Sequence, residues 1–210
     1  MRVITVVCVV LLLIIASFPV IAQQEEMKPG SKMMSAEKMP EMMPPKPLSG
    51  EFNNWIVGEW EGYSTSPMGK SKDVMKCEAV LDGQFLLITY EGKMIEHNEE
   101  MMKEMGEKMQ MSDEAMEKMK EMSYKGMGLV TQNPQTGGMM GYWFDNWRGI
   151  SKGSGSQEKG EQMMTWKGPM GTEIRTIKMT GRDNMVVTFK SSGPMGEFEG
   201  KSEYTRKSSM

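Results

Sequence analysis

The chain has 210 residues, with 28 acidic and 25 basic side chains and a formal net charge of -3. This acidic balance, without a basic stripe interleaved with aromatic residues, argues against nucleic-acid binding. Of the two cysteines, Cys8 lies in the N-terminal apolar run and Cys77 lies outside it. If the N-terminal segment is removed, a single cysteine remains, so we expect no internal disulfide.

The N-terminus has the order of a secretory signal peptide. Arg2 supplies a positive charge, residues 3–15 form an apolar run, and Val20-Ile21-Ala22 offers small residues for cleavage. An uncleaved anchor is the alternative, but the apolar run is shorter than the roughly 20 residues that a spanning helix needs. The sequence therefore predicts that residues 1–22 are removed and that the protein is secreted or periplasmic, with no stable membrane insertion afterwards.

Residues 23–50 combine five prolines with lysine, glutamate and methionine. Proline at this density interrupts both helices and sheet ladders. We therefore predict a disordered Met/Pro-rich tether, followed by one folded domain over residues 51–207.

The predicted domain consists mainly of short strands. Runs rich in β-branched and aromatic residues alternate with turn signals about every ten residues. An antiparallel, up-and-down barrel of about ten strands is the expected architecture, because closure removes exposed sheet edges. The predicted strands cover residues 57–65, 70–80, 84–93, 124–131, 138–147, 150–156, 161–167, 172–180, 184–191 and 196–207.

Residues 96–122 depart from this pattern. The segment lacks proline, is rich in methionine and carries acid-to-base pairs at i,i+4 spacing, such as Glu114 and Lys118. Ser112 is a plausible helix cap. The pattern predicts a helical insertion, divided into two helices near Met111.

Two motifs at the ends of the domain carry a family resemblance. Gly58-Glu59-Trp60 at the first strand and Tyr204-Thr205-Arg206 at the last resemble the calycin superfamily of lipocalins and fatty-acid-binding proteins. The resemblance implies that Trp60 plugs one end of the barrel and that Arg206 lies across it. Such a pair would combine a large apolar surface with a cation–π contact.

A narrower resemblance covers about residues 52–207. Four segments, together with the closing Tyr-x-Arg, look like the bacterial family known as domain of unknown function 1579. This resemblance implies a calycin-like barrel and no established activity. The segments are Leu81-Asp82-Gly83-Gln84-Phe85-Leu86, Gly126-Met127-Gly128, Asn133-Pro134-Gln135-Thr136 and Trp143-Phe144-Asp145-Asn146.

The leading functional prediction is binding of a small apolar ligand without catalysis. His97 is the only histidine, so a hydrolytic triad would have to use it, and a histidine-rich zinc site is excluded by count. A barrel interior can either hold a ligand or fill with side chains. The strand aromatics that would line a cavity, or else form the core, are Phe85, Tyr142, Trp143, Trp147, Trp166 and Phe189.

Soft-metal binding is the alternative prediction. Thioethers prefer Cu(I), and Met94, His97 and Met101 would share one face of a helix at i, i+3 and i+7. The same methionines could instead serve only as adaptable apolar packing. No other cofactor is expected, and the sequence leaves the oligomeric state open.

Overall fold

A computed structural model describes residues 44–194 and 196–208. The predicted signal peptide and residues 23–43 of the predicted tether lie outside the described residues. The described helices and strands are α1 Glu51–Ile56, β1 Gly58–Ser66, β2 Gly69–Val80, β3 Phe85–His97, α2 Glu99–Met109, α3 Asp113–Glu121, β4 Ser123–Gln132, β5 Met139–Asp145, β6 Ile150–Glu158, β7 Glu161–Gly168, β8 Gly171–Met179, β9 Asn184–Gly193 and β10 Gly196–Arg206.

The ten strands form one closed antiparallel barrel. Each strand pairs with its neighbours in sequence, and β1 closes the circle against β10. This confirms the predicted mainly-β barrel with a helical insertion. Closure leaves none of the ten described strands with an unpaired edge, which is the usual protection of antiparallel sheets against edge-to-edge association.

Two tight hairpins use the same Pro-Met-Gly turn. Ser66 pairs with Gly69, and Gly168 pairs with Gly171, so each turn has proline and methionine at its centre. Gly69 and Gly171 have φ values of 130° and 119°, which side-chain-bearing residues rarely adopt. Glycine therefore lets the chain enter the returning strand directly after the turn.

One end of the barrel, here named the plug end, is closed by Trp60, Arg206 and α1. Trp60 is fully buried, and the Arg206 guanidinium carbon lies 4.1 Å from the Trp60 ring centroid. The Trp60 indole N–H donates to the Ile56 carbonyl at 2.8 Å, and Arg206 donates to the Val57 carbonyl at 2.7 Å. These contacts match the arrangement that the calycin resemblance implies.

The chain is attached to the barrel before residue 51. The Leu48 amide donates to the Gly83 carbonyl at 2.8 Å, and the Gln84 side chain donates to the Pro45 carbonyl at 2.7 Å. Residues 44–50 contain no helix or strand, and these bonds hold them against the β2–β3 turn. The packed domain therefore begins earlier than the predicted boundary.

The insertion between β3 and β4 contains two helices joined near Met111. The Asn98 side chain accepts from the Met101 amide at the start of α2, and the Ser112 side chain accepts from the Ala115 amide at the start of α3. Helices with such caps have some of their free N-terminal amides satisfied. The insertion starts at Glu99 rather than at 96, because β3 continues to His97.

The barrel core lies between the plug end and the middle of the strands. It is built from alternate strand positions, which point to the same face of a sheet. Methionine contributes much of its volume, which suits an irregular interior because the side chain is unbranched and adaptable. The buried core residues are Phe52, Ile56, Trp60, Met75, Cys77, Leu86, Ile88, Val130, Met139, Met164, Ile177, Met185, Val187 and Tyr204.

Candidate ligand-binding site

Beyond this core, the inward-facing positions of several strands become polar. Ser64 and Ser66 follow Trp60 by four and six residues on β1, which places them about 13 and 20 Å along the strand. They line an interior cavity of about 140 Å³. The cavity, here named the hydroxyl cavity, is lined by Ser64, Ser66, Ser71, Tyr90, Tyr124, Arg175, Phe189, Ser202 and Tyr204.

Asp73 organises one side of the hydroxyl cavity. Its carboxylate is fully buried and accepts hydrogen bonds from the hydroxyls of Ser64, Ser71 and Tyr204. The Ser71 bond measures 2.7 Å and the Tyr204 bond 3.1 Å. A buried carboxylate is tolerated only when it is well hydrogen-bonded, and these three donors meet that requirement.

Arg175 occupies another part of the cavity lining. Its Nε donates to the Glu173 carboxylate at 2.8 Å, and its guanidinium carbon lies 5.9 Å from the Phe189 ring centroid. Burial acts to lower the pKa of Arg175, but the attraction and hydrogen bond of Glu173 outweigh it, so the pKa is raised. Arg175 therefore carries a positive charge inside the barrel.

Three tyrosines add hydroxyl groups to the same cavity. Burial raises the pKa of Tyr90, and the nearby Tyr204 and Asp73 raise it further. Burial likewise raises the pKa of Tyr204 and of Tyr124. Each phenol therefore keeps its proton at neutral pH, and Tyr124 also accepts a hydrogen bond of 2.8 Å from the Trp143 indole.

Three of the six predicted ligand-lining aromatics face the barrel interior. Phe189 lines the hydroxyl cavity, whereas Trp143 and Trp166 pack against the core and against each other, with ring centroids 6.3 Å apart. A methyl group on Gly128 would come within 2.6 Å of the Trp143 ring, and one on Gly153 within 2.6 Å of the Trp166 ring. These glycines make room for the indoles, which fill interior space.

The other three aromatics lie elsewhere. Tyr142 is 44% exposed and lies at an outward-facing position of β5, because its neighbours Gly141 and Trp143 occupy inward-facing positions. Trp147 is 54% exposed and lies in the β5–β6 turn, because β5 ends at Asp145 rather than at 147. Phe85 is half-buried and alternates with the inward-facing Leu86. Tyr142 and Trp147 therefore do not line the barrel interior.

The predicted soft-metal residues do not share a helix face, because Met94 and His97 belong to β3. Met94 pairs with Ser71 and Glu96 with Lys70, which leaves Ile95 as an extra residue in a bulge. His97 pairs with Gly69, two residues before the Ser71 partner of Met94. Because of the bulge, His97 and Met94 therefore lie on the same face of the sheet. His97 Nδ1 is buried and has no hydrogen-bond partner among the described residues, while Met101 lies in the first turn of α2.

A larger groove of about 390 Å³ lies on the barrel surface near the β9–β10 hairpin. Most of its lining side chains are exposed, and Lys190 and Glu199 are already paired there at 2.9 Å. The hydroxyl cavity is the stronger candidate site, because buried polar groups converge on it.

The hydroxyl cavity could have been found from the alternation of the sequence. Counting by twos from Trp60 leads to Ser64, and counting back from Arg206 leads to Tyr204 and Ser202. The prediction concentrated on aromatic residues and overlooked these small hydroxyls. The same count along β8 leads from the buried Ile177 back to Arg175 and Glu173, which therefore lie on the inward-facing side of that strand.

No protein-family model matches the chain, and no curated protein matches it. Membership in the family of domain of unknown function 1579 therefore stays a prediction from sequence.

Comparison with solved structures gives three matches. An S-type phycobiliprotein lyase from Guillardia theta matches with a TM-score of 0.50 and 11% identity, over 76% of this chain and 92% of the lyase. A de novo designed fluorescence-activating β-barrel matches with a TM-score of 0.39 and 13% identity, over 76% and 100% of the two chains. A DUF3598 protein of unknown function from Nostoc punctiforme matches with a TM-score of 0.23 and 7% identity, over the same shares. At these identities the lyase supports the barrel fold alone.

Within residues 44–194 and 196–208, no helix has the length and apolar character needed to cross a membrane. The same part of the chain contains no group of three or more His, Cys, Asp or Glu side chains placed to hold a metal ion.

Proposed function

We propose that the protein binds a small ligand with an anionic group in the hydroxyl cavity. The observation that carries this proposal is the position of Arg175. Arg175 lines the cavity, and its Nε donates to Glu173, whereas no acceptor is found among the described residues for its two terminal amino groups. A carboxylate would accept charge-assisted hydrogen bonds from them, which are stronger than bonds between neutral groups.

The cavity also limits the character and size of the ligand. Phe189 is the one lining residue without a polar side-chain atom, so the lining favours a polar ligand over the apolar one predicted from the strand aromatics. A volume of about 140 Å³ compares with about 30 Å³ per water molecule in the liquid. The ligand, or the part of it that enters, therefore has few non-hydrogen atoms.

The proposed role is binding without catalysis, by an exported protein. His97, the only histidine, is absent from the cavity lining, so the cavity has no imidazole to act as a general base. The predicted signal peptide supports export. A purified protein with the mass of residues 23–210 would support cleavage after Ala22. A mass that includes residues 1–22 would contradict it.

Native mass spectrometry of the full chain, expressed with residues 1–22 and purified without detergent, tests the binding proposal. We expect a small organic adduct on the wild type and on Arg182→Met, whose arginine is exposed, and its loss on Arg175→Met. Circular dichroism would check that both variants fold. An adduct retained by folded Arg175→Met would contradict the proposal, as would a bare mass after incubation with a mixture of short-chain carboxylic acids with and without an amino group.

Soft-metal binding at His97 is a second candidate function. The buried, unpartnered Nδ1 atom favours it, and Met94 shares the inward alternation with His97. Imidazole and thioether together suit Cu(I). Competition with a colorimetric Cu(I) chelator should show one bound ion that is lost in His97→Phe and kept in Met163→Leu, a control at an exposed methionine. Equal copper binding by all three proteins would exclude this site.

A further inference from the structure

The hydrogen bonds to Asp73 determine where several hydroxyl protons lie. A serine or tyrosine hydroxyl has one proton to donate and lone pairs that accept. Ser64, Ser71 and Tyr204 each donate that proton to the Asp73 carboxylate. Ser64 and Ser202 are also in hydrogen-bond contact. Because the Ser64 proton is already used, Ser202 must be the donor in that contact.

The hydroxyls around Asp73 can therefore only accept further hydrogen bonds. Ser71, Ser202 and Tyr204 line the cavity, and their hydroxyl protons are used in hydrogen bonds to Asp73 or Ser64. We name this part of the lining the acceptor wall. The buried Asp73 carboxylate behind it adds negative charge, which reinforces its preference for a hydrogen-bond donor.

Two other lining residues, Arg175 and Tyr124, have the opposite character. A guanidinium has donors and no acceptor, so Arg175 can only donate to a ligand. The Tyr124 oxygen accepts from the Trp143 indole, which leaves its proton for a ligand. Arg175 and Tyr124 therefore form a donor wall in the same cavity.

A simple carboxylic acid would satisfy only the donor wall. Its carboxylate could accept from Arg175, but it has no proton for the hydroxyl oxygens around Asp73. Water expelled from those oxygens would leave acceptors unpaired, which is costly in a buried site. A primary amine alone has the reverse defect, because it cannot accept from Arg175.

We propose that the hydroxyl cavity selects small amphoteric molecules of the amino-acid type, which carry an ammonium group and a carboxylate. The ammonium would donate to the acceptor wall while the carboxylate accepts from the donor wall. This inference rests on the proposed function, since it uses the same cavity and the same Arg175. It adds the requirement that the ligand also carries a hydrogen-bond donor for the acceptor wall.

Isothermal titration calorimetry with three matched probes tests the requirement. Alanine has both groups, propionate lacks the ammonium, and ethylamine lacks the carboxylate. We expect alanine to bind at least tenfold more tightly than either of the others. Propionate binding as tightly as alanine would overturn the donor requirement and leave the anionic-ligand proposal intact. Ethylamine binding as tightly as alanine, or no binding of any probe, would overturn both.

A variant of the acceptor wall provides the second arm. Ser71→Ala removes one accepting oxygen and leaves Asp73 with the Ser64 and Tyr204 donors, so the barrel should fold. We expect the affinity for alanine to fall about tenfold and that for propionate to stay unchanged. Ser156→Ala, at an exposed serine of β6, is the matched control and should change neither. An equal loss of both affinities in Ser71→Ala would contradict an acceptor role for Ser71.

Discussion

The plug end of the barrel is filled, whereas the end that holds the hydroxyl cavity is hollow and polar, although the same strands build both. Along β1 the inward positions change from Trp60 to Ser64, and along β2 from Met75 to Asp73. A filled interior gains stability from apolar burial and close packing. A polar, hollow interior gives up part of that gain, which is expected where a protein keeps space for a ligand. Stability is therefore expected to depend mainly on the plug end, and the proposed binding on the end that holds the hydroxyl cavity.

The largest effect is expected at the plug end. Trp60→Ala removes a fully buried indole that contacts Arg206 and donates to Ile56. Truncation of a buried tryptophan costs about 3–5 kcal/mol. Urea unfolding should show a loss of this size, against a smaller loss for Phe189→Ala at the hydroxyl cavity. Equal losses at the two positions would contradict the division between the ends.

A substitution that overfills the interior should have a smaller effect. Gly128→Ala places a methyl group within 2.6 Å of the Trp143 ring and should displace the indole. Overpacking of this kind costs about 1–3 kcal/mol. The loss of stability in the double variant Gly128→Ala/Trp143→Leu should be smaller than the sum of the losses in the two single variants, because the smaller leucine side chain leaves room for the methyl group. Purely additive losses in thermal unfolding would rule out this steric explanation.

Alkaline pH tests the dryness of the core through Cys77. Burial raises the pKa of this thiol from 9.0 to about 12 in the folded protein, although Arg206 opposes the shift. The unfolded chain therefore loses the proton first, so this contribution to stability is complete below pH 9 and declines as pH rises toward 12. The free energy of unfolding should fall by about 1 kcal/mol between pH 9 and 10.

Cys77→Ala provides the control, because it should lack this decline between pH 9 and 10. Parallel curves for the two proteins would show that the thiol is not shielded from water. Above pH 10 both proteins should lose stability, because burial also raises the pKa values of Tyr90 and Tyr204.

The smallest effect is expected on the cavity side. Ser71→Ala removes one of three hydroxyl donors to Asp73, and a single hydrogen bond contributes about 1 kcal/mol net. Chemical denaturation should therefore detect a modest loss of stability together with the larger change in alanine affinity. A loss as large as that of Trp60→Ala would mean that the Asp73 network holds the barrel together.

The architecture was predictable because it rests on patterns that the sequence displays. Alternating strands, glycine turns and the Trp60–Arg206 pair all indicated a closed antiparallel barrel, and Ser112 indicated the break between two helices. Strand ends were less predictable. β3 continues through the bulge at Ile95 because that strand still pairs with β2, which depends on tertiary contacts.

The site was harder to predict than the fold. Trp143 and Trp147 are alike in composition, but Trp143 lies on an inward position of β5 and Trp147 lies in a turn. An aromatic side chain reveals its burial only when its strand register is known. Serine at alternate positions is a weak signal by itself, so the cavity became visible only when Asp73 was seen to gather its hydroxyls.

The most direct test is an NMR titration of the full chain with alanine, using labelled tyrosine rings and labelled methionine methyl groups. We predict saturable shifts of the ring signals of Tyr90, Tyr124 and Tyr204, with the methyl signals of Met139 and Met185 in the filled core unchanged. Shifts at these methionines without tyrosine shifts would place the ligand at the wrong end of the barrel. A spectrum that alanine does not change at all would contradict binding in the hydroxyl cavity.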